Sequence, residues 1–177
     1  VGNKENLKFV LEVAKILKLK KNSLLKTLQK FKGLKYRQEI IFQSKNLTII
    51  NDSKATTFSS SVSLLKSLTN VYWIVGGQAK KGDRLLLSKK NCKNFKAYIF
   101  GTNKNFFISK LKKIMKYNSF LNLKSLVKKL FSEIKTDKNK IHKTILFSPS
   151  AASFDNFKNF EKRGEYFNKL IKRYINA

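Results

Sequence analysis

The sequence predicts an α/β fold: a doubly wound, largely parallel sheet preceded by a short helical segment. Three observations predict it. Apolar runs of strand length at Leu47–Ile50, Val71–Val75, Ala97–Phe100 and Thr144–Phe147 alternate with helix-length patterns. These runs are apolar almost without interruption, as strands covered on both faces must be. Each is followed by small or polar residues: Asn51 to Thr57, Gly76 to Asp83, Gly101 to Lys104 and Ser148 to Ser153. In an open α/β sheet, ligands bind outside the carboxyl ends of the strands, the edge these four loops would share. Turn chemistry alone also favours Gly, Asn, Asp and Ser, so the pattern leaves a ligand edge and plain turns both open.

Leu7, Val10, Leu11, Ala14 and Leu17 fall on one face of a helix over about 4–19. A second helix is predicted with Ser23 as its N-cap, Leu24, Leu25, Leu28 and Phe31 on its apolar side, and Gly33 as its stop. Segments 39–43 and 47–51, separated by Ser44 to Asn46, predict a hairpin. Helices are then expected over Thr57–Leu68, Asp83 to about Lys90, Asn103–Met115, Leu123–Lys135 and about Asn156–Ile175. The domain division expected is 1–32 as a helical end of a preceding domain plus connector, with 33–177 as the α/β domain.

The 177 residues carry a formal charge of +29, which raises the prospect of a nucleic-acid-binding α/β module. The residue types weaken that reading. Arg occurs only at 37, 84, 163 and 173, and the Lys residues are scattered through every segment rather than gathered in a stripe. A solvated Lys surface that attracts anions generally is favoured, with no nucleic-acid partner. No apolar stretch approaches the roughly 20 residues that span a bilayer, so no membrane partner is expected. The start, Val1-Gly2-Asn3, predicts a carboxy-terminal piece of a longer chain. Cys92 is the sole cysteine, which excludes an internal disulfide and fits a cytoplasmic protein; it and the lone His142 read as structural residues.

Asn51-Asp52-Ser53-Lys54-Ala55-Thr56-Thr57 places a carboxylate, an ammonium and three hydroxyls in one strand-to-helix turn. Asp52 could take a ribose hydroxyl, Lys54 a phosphate or carboxylate, and Thr56 a carboxylate. Equally, these hydroxyls could cap the next helix. Gly76-Gly77 permits a close backbone approach, and Lys80 adds a cation beyond it. No G-x-x-x-x-G-K-[ST] loop occurs, so a phosphate cradle would have to come from elsewhere.

Taken together, Asn51 to Thr56, Gly76-Gly77-x-x-Lys80, and Ser148-Pro149 with Ala152-Ser153-Phe154-Asp155, Phe157, Asn159-Phe160 and Arg163-Gly164 resemble the carboxy-terminal domain of the D-glutamate-adding members of the Mur ligase family. Gly33-Leu34 with Tyr36-Arg37-Gln38-Glu39 is similar to the family's G-L-x-H-R-x-E, with Tyr36 where His is usual. Asn3-x-x-Asn6 is similar to the end of its H-N-x-x-N, with Gly2 in the His position. The likeness spans essentially the whole chain. It implies a Rossmann-like carboxy-terminal domain of a cytoplasmic, monomeric ligase that uses ATP and Mg2+ to add D-glutamate to UDP-N-acetylmuramoyl-L-alanine through an acyl phosphate, in peptidoglycan synthesis for cell shape and division. It implies that Thr56, Lys80, Ser153 and the Phe154 amide bind D-glutamate, with Phe160 packed near it. Asn3, Asn6, Arg37 and Asp52 would surround ATP, and Lys54 would lie near the reacting groups. Metal ligands would lie mostly outside this chain, which alone would be inactive. A related Mur ligase with another acceptor amino acid is the nearest alternative.

Overall fold

A computed structural model describes residues 4–31, 33–92 and 94–175, with the side chains of residues 4–6 left aside. The chain forms two compact units, Val1–Leu34 and Lys35–Ala177.

The first unit is a helical hairpin, α1 (Lys4–Ile16) and α2 (Lys21–Lys30). Lys18 turns the chain at φ 51°, and the Leu19 amide returns to the Ala14 carbonyl. Ser23 is not the N-cap the sequence predicts. Lys20 occupies that place with extended backbone and no side-chain bond, because its carbonyl already receives the Ser23 and Leu24 amides. Gly33 adopts φ +84° beyond the end of α2.

In the second unit six strands lie in the order β1-β2-β6-β3-β4-β5: β1 (Glu39–Gln43), β2 (Leu47–Asn51), β3 (Val71–Gly76), β4 (Lys96–Phe100), β5 (Lys116–Ser119) and β6 (Lys143–Phe147). Only β1 is antiparallel, paired with β2 as the expected hairpin and irregular between Ile40 and Phe42. The others run parallel, which brings Asn51, Phe147, Gly76 and Phe100 to one edge. From β2 the chain crosses to β3, proceeds outward to β5, and returns to place β6 between β2 and β3. This reversal is the topological switch point beside which open α/β sheets bind ligands.

Alternation along the buried strands supplies a core on each face. Ile50, Trp73, Val75, Ala97, Ile99 and Leu146 face α3 (Phe58–Lys66) and α4 (Lys104–Leu111). Ile49, Ile74, Tyr98, Phe100, Ile145 and Phe147 face α5 (Leu123–Thr136) and α6 (Phe160–Ile175).

Three elements depart from the sequence expectation. Asp83 to Lys90 is not a helix, and only Lys89–Cys92 makes a 3-10 turn. The Asp83 Oδ2 instead accepts the Phe58 amide at 2.7 Å, so this carboxylate caps α3 from outside. The helix expected to Met115 stops at Leu111, and Lys116–Ser119 forms β5, a short edge strand. Its polar residues carry no strand-like apolar alternation. The last helix begins at Phe160 rather than Asn156, since the Ser153 carbonyl gathers the Asn156 and Phe157 amides into a turn.

Candidate functional site

Four loops meet at the carboxyl edge, and hydrogen bonds stitch them together. The Asp52 amide reaches the Phe147 carbonyl at 2.7 Å, the Gly76 amide reaches Pro149 at 2.9 Å, and Gln78 and Ala152 exchange both amide bonds. Asn103 Oδ1 accepts the Ala79 amide at 2.8 Å, and Asp155 Oδ2 accepts the Thr102 amide at 3.3 Å. Gly76 and Gly77, at φ +136° and +127°, are what let β3 turn this tightly. A Cβ on Gly76 would stand 2.0 Å from the Phe100 carbonyl oxygen, and one on Gly77 would stand 2.7 Å from that of Ala152.

Beneath the edge lies a buried polar layer. Asn51, at the end of β2, donates to the Gly164 carbonyl at 3.0 Å and to Asn168 at 2.7 Å, and its Oδ1 accepts the Ser53 amide. Ser53 Oγ donates to the Phe160 carbonyl at 2.8 Å. Arg163, fully buried on α6, donates from Nε to Ser53 Oγ at 3.1 Å and from Nη2 to the Ser53 carbonyl at 2.8 Å. Burial draws the Arg163 pKa down to about 10, against the pull of Asp155, so the guanidinium stays charged near neutrality. Sequence reading assigned no individual task to Asn51 or Arg163, and offered Ser53 only as a possible cap of the next helix, a place that Thr57 takes. The signal available was an Arg within an otherwise Lys-rich chain.

Asp52 belongs to the same layer. Its Oδ1 accepts the Gln38 amide at 3.1 Å and its Oδ2 the Ser148 hydroxyl at 2.8 Å. Burial pushes the carboxyl up to about 6, against the Ser148 hydroxyl, the Gln38 amide and the nearby Arg37 guanidinium. Arg37 itself is exposed on a turn where Tyr36 and Gln38 both have positive φ. That turn is held by the Lys54 amide on the Tyr36 carbonyl and the Tyr36 amide on Glu39. The Tyr36 ring lies over Gly164, where an added Cβ would come within 2.4 Å of it, so Tyr36 and Gly164 fit as a pair.

Above this layer stand the remaining candidates. Lys54 Nζ sits 3.9 Å from the centroid of the Phe160 ring, which holds the ammonium at the edge by a cation–π contact. Thr56 is half-buried just before α3, whose N-cap is Thr57. Lys80 is exposed, two residues past the Gln78–Ala152 bridge, and Ser153 follows that bridge on the other strand end. The Ser153 side chain is nearly buried, and the Phe154 ring is 71% exposed. Arg37, Asp52, Lys54, Thr56, Lys80, Ser153, Phe154 and Phe160 therefore share one edge of the sheet. Asn3 and the Asn6 side chain lie outside the described residues. A cavity of about 300 Å³ opens on the α5–α6 side, lined by Phe100, Asn122, Leu123, Asn156, Phe157 and Tyr166, and none of the candidates lines it. The candidate residues lie along the carboxyl edge of the sheet instead.

His142 and Cys92 are structural. The two His142 ring nitrogens are engaged by Thr48 at 3.0 Å and the Lys45 carbonyl at 3.1 Å, at the opposite edge of the sheet. Burial pushes the Cys92 thiol up to about 11, which keeps it protonated and unreactive. Among the described residues, no cluster of three His, Cys, Asp or Glu side chains could hold a metal ion.

No protein-family model matches the chain. Curated proteins do. The chain is 37% identical over 172 residues to the UDP-N-acetylmuramoylalanine–D-glutamate ligase of Wolbachia from Brugia malayi, covering 97% of this chain and 34% of that protein. Identity is 36% over 172 residues to the same-named ligase of Rickettsia prowazekii, with 97% and 38% covered. For that of Francisella tularensis it is 35% over 173 residues, with 96% and 40% covered. The chain is a homologue of part of these D-glutamate ligases. It spans between a third and two fifths of the length of the curated relatives it matches. Among solved structures, a murein peptide ligase from Psychrobacter arcticus superposes with a TM-score of 0.49 at 11% identity, over 84% of this chain and 31% of that one.

Proposed function

We propose that this chain is the carboxy-terminal, acceptor-positioning part of an ATP-dependent ligase that joins D-glutamate to UDP-N-acetylmuramoyl-L-alanine in peptidoglycan synthesis. Residues 33–177 form the carboxy-terminal domain, and residues 1–32 form a helical end of the preceding domain with its connector. The observation that carries this reading is the gathering of Lys54, Thr56, Lys80 and Ser153 on one edge of a chain 35% to 37% identical to part of ligases of that name.

The chemistry of that edge suits an amino acid with two carboxylates. Lys80 offers an exposed ammonium, Thr56 and Ser153 offer hydroxyls, and the Phe154 amide offers a backbone donor beside Ser153. Phe160 seats Lys54 at this edge, where this second ammonium would lie near the reacting groups. On the nucleotide side, Asp52 presents acceptors that suit ribose hydroxyls, and Arg37 is an exposed cation that suits phosphate. ATP with Mg2+ supplies activation of the muramoyl-alanine carboxylate, and the metal and P-loop contacts would come from other parts of the protein. This chain's residues then orient the D-glutamate amine, neutralise its carboxylates and exclude water; no side chain here is needed as a proton acceptor. The protein acts as a cytoplasmic monomer.

In the complete enzyme, Lys80→Ala raises KM for D-glutamate about 30- to 100-fold, the loss of one charge-assisted contact, with KM for ATP nearly unchanged. Equal effects on both substrates, or none on either, would remove Lys80 from the acceptor site. The 177-residue chain alone releases no ADP in response to D-glutamate; measurable release would refute the assignment of the phosphate cradle to another part.

A further inference from the structure

Behind Asp52 the structure holds three hydroxyls that the proposed reaction does not use. Ser148, at the end of β6, lies 2.8 Å from Asp52 Oδ2. Ser61, on the second turn of α3, lies 2.6 Å from both Ser148 Oγ and Ser150 Oγ. All three serines are essentially inaccessible to water. We propose that Ser150, Ser61 and Ser148 form a directed hydroxyl relay that aims the Asp52 carboxylate, so that Ser148 and Ser61 are positioning residues for the nucleotide side of the site. The proposal rests on the reading of Asp52 given above.

The direction follows from counting protons. Each hydroxyl donates once. An ionised Asp52 can only accept, so the Ser148 proton points to it. Ser148 Oγ is then the acceptor for Ser61, and Ser61 Oγ for Ser150. The alternative, Ser150 donating to the Ser148 carbonyl, is the longer bond, 3.4 Å against 2.6 Å to Ser61. The Ser148 backbone is fixed independently, because the Trp73 indole donates to its carbonyl at 2.8 Å. Neighbouring elements add little charge: the 36–38 turn contributes Arg37 and the Gln38 amide, whereas α3 and the β6 loop contribute only hydroxyls. Lys54 is drawn over Phe160. The relay is therefore the main support that Asp52 receives from the sheet side, and linked hydroxyls polarise one another along such a chain. Protonation of Asp52 would turn its carboxyl into a donor toward Ser148 and reverse all three hydroxyls.

Two measurements test this separately. In the 177-residue chain, the Asp52 carboxyl is titrated by carbon-detected NMR. The expected order is wild type near 6, Ser61→Ala higher by a few tenths, and Ser148→Ala higher by about one unit, with Ser61→Thr back at the wild-type value. If Ser61→Ala and Ser61→Thr both titrate as wild type, the relay is refuted, and this holds even if Ser148→Ala fails to fold. In the complete enzyme, the acid limb of kcat/KM for ATP should move upward in Ser148→Ala by the same amount, with the limb for D-glutamate at saturating ATP unmoved. A shifted NMR titration with an unmoved ATP limb would keep the relay and overturn the nucleotide role of Asp52.

Discussion

The two halves of the Asn51–Thr56 turn contrast sharply. In Asn51, Asp52 and Ser53 the side-chain polar groups are buried and bonded to partners on other segments: α6, the β6 loop and the 36–38 turn. Lys54 and Thr56 are half-exposed at the same edge. The first half ties the loops together, with Asp52 proposed to serve the nucleotide side as well, and the second half carries groups of the proposed acceptor site. The β3 loop repeats the division, with Gly76 and Gly77 crowded against neighbouring backbone and Lys80 exposed. On the proposed reading, a motif that looks like one functional unit is an anchor followed by a working group. Anchor substitutions should cost stability, and working-group substitutions should cost only activity.

The strongest test of the anchor side is Gly76→Ala. Its Cβ would meet backbone at 2.0 Å in a conformation that L residues rarely adopt. The expected loss is about 3–5 kcal/mol in urea unfolding of the chain. A loss under about 1 kcal/mol would show that the loop relaxes freely and that the edge is not held as rigidly as its bonds suggest.

Asp52 gives the next largest effect, as a slope rather than an offset. Its folded pKa is raised from 3.8 to about 6, so between those values the folded state binds more protons than the unfolded state. Stability therefore falls as pH rises through this window and levels off above about 6. The integrated contribution is about 3 kcal/mol at most. Other groups titrate in the same range, so the readout is the difference between wild type and Asp52→Asn measured from pH 4 to 7. A constant difference would mean that Asp52 titrates normally. Arg163→Met comes third, at about 1–3 kcal/mol. It orphans the buried Ser53 carbonyl while relieving a desolvated charge, and these partly offset.

Much of this fold was legible because the four buried parallel strands announce themselves as apolar runs. β5 was not, since an edge strand reading Lys-Tyr-Asn-Ser is specified by pairing with β4 rather than by its own pattern. Asp83 to Lys90 misled for the opposite reason: Leu85 to Leu87 invite a helix, but the Asp83 carboxylate is committed to capping α3. At the site, the motifs named the exposed and half-exposed groups that the structure brings to one edge, Lys54, Thr56 and Lys80. The anchors were not, because Ser61, Ser53 and Arg163 acquire partners between 87 and 110 residues away, and only the folded chain shows those pairings.

The smallest stability effect carries the sharpest functional contrast. Lys80 is exposed on the β3 loop, and its backbone carbonyl accepts the Asp83 amide, a bond that a substitution keeps. Lys80→Ala should therefore shift unfolding by no more than about 0.5 kcal/mol, while the complete enzyme loses D-glutamate affinity as stated above. If Lys80→Ala instead destabilises the chain by more than about 1 kcal/mol, Lys80 is itself an anchor. The division between the two halves of each loop then fails at the residue where it matters most.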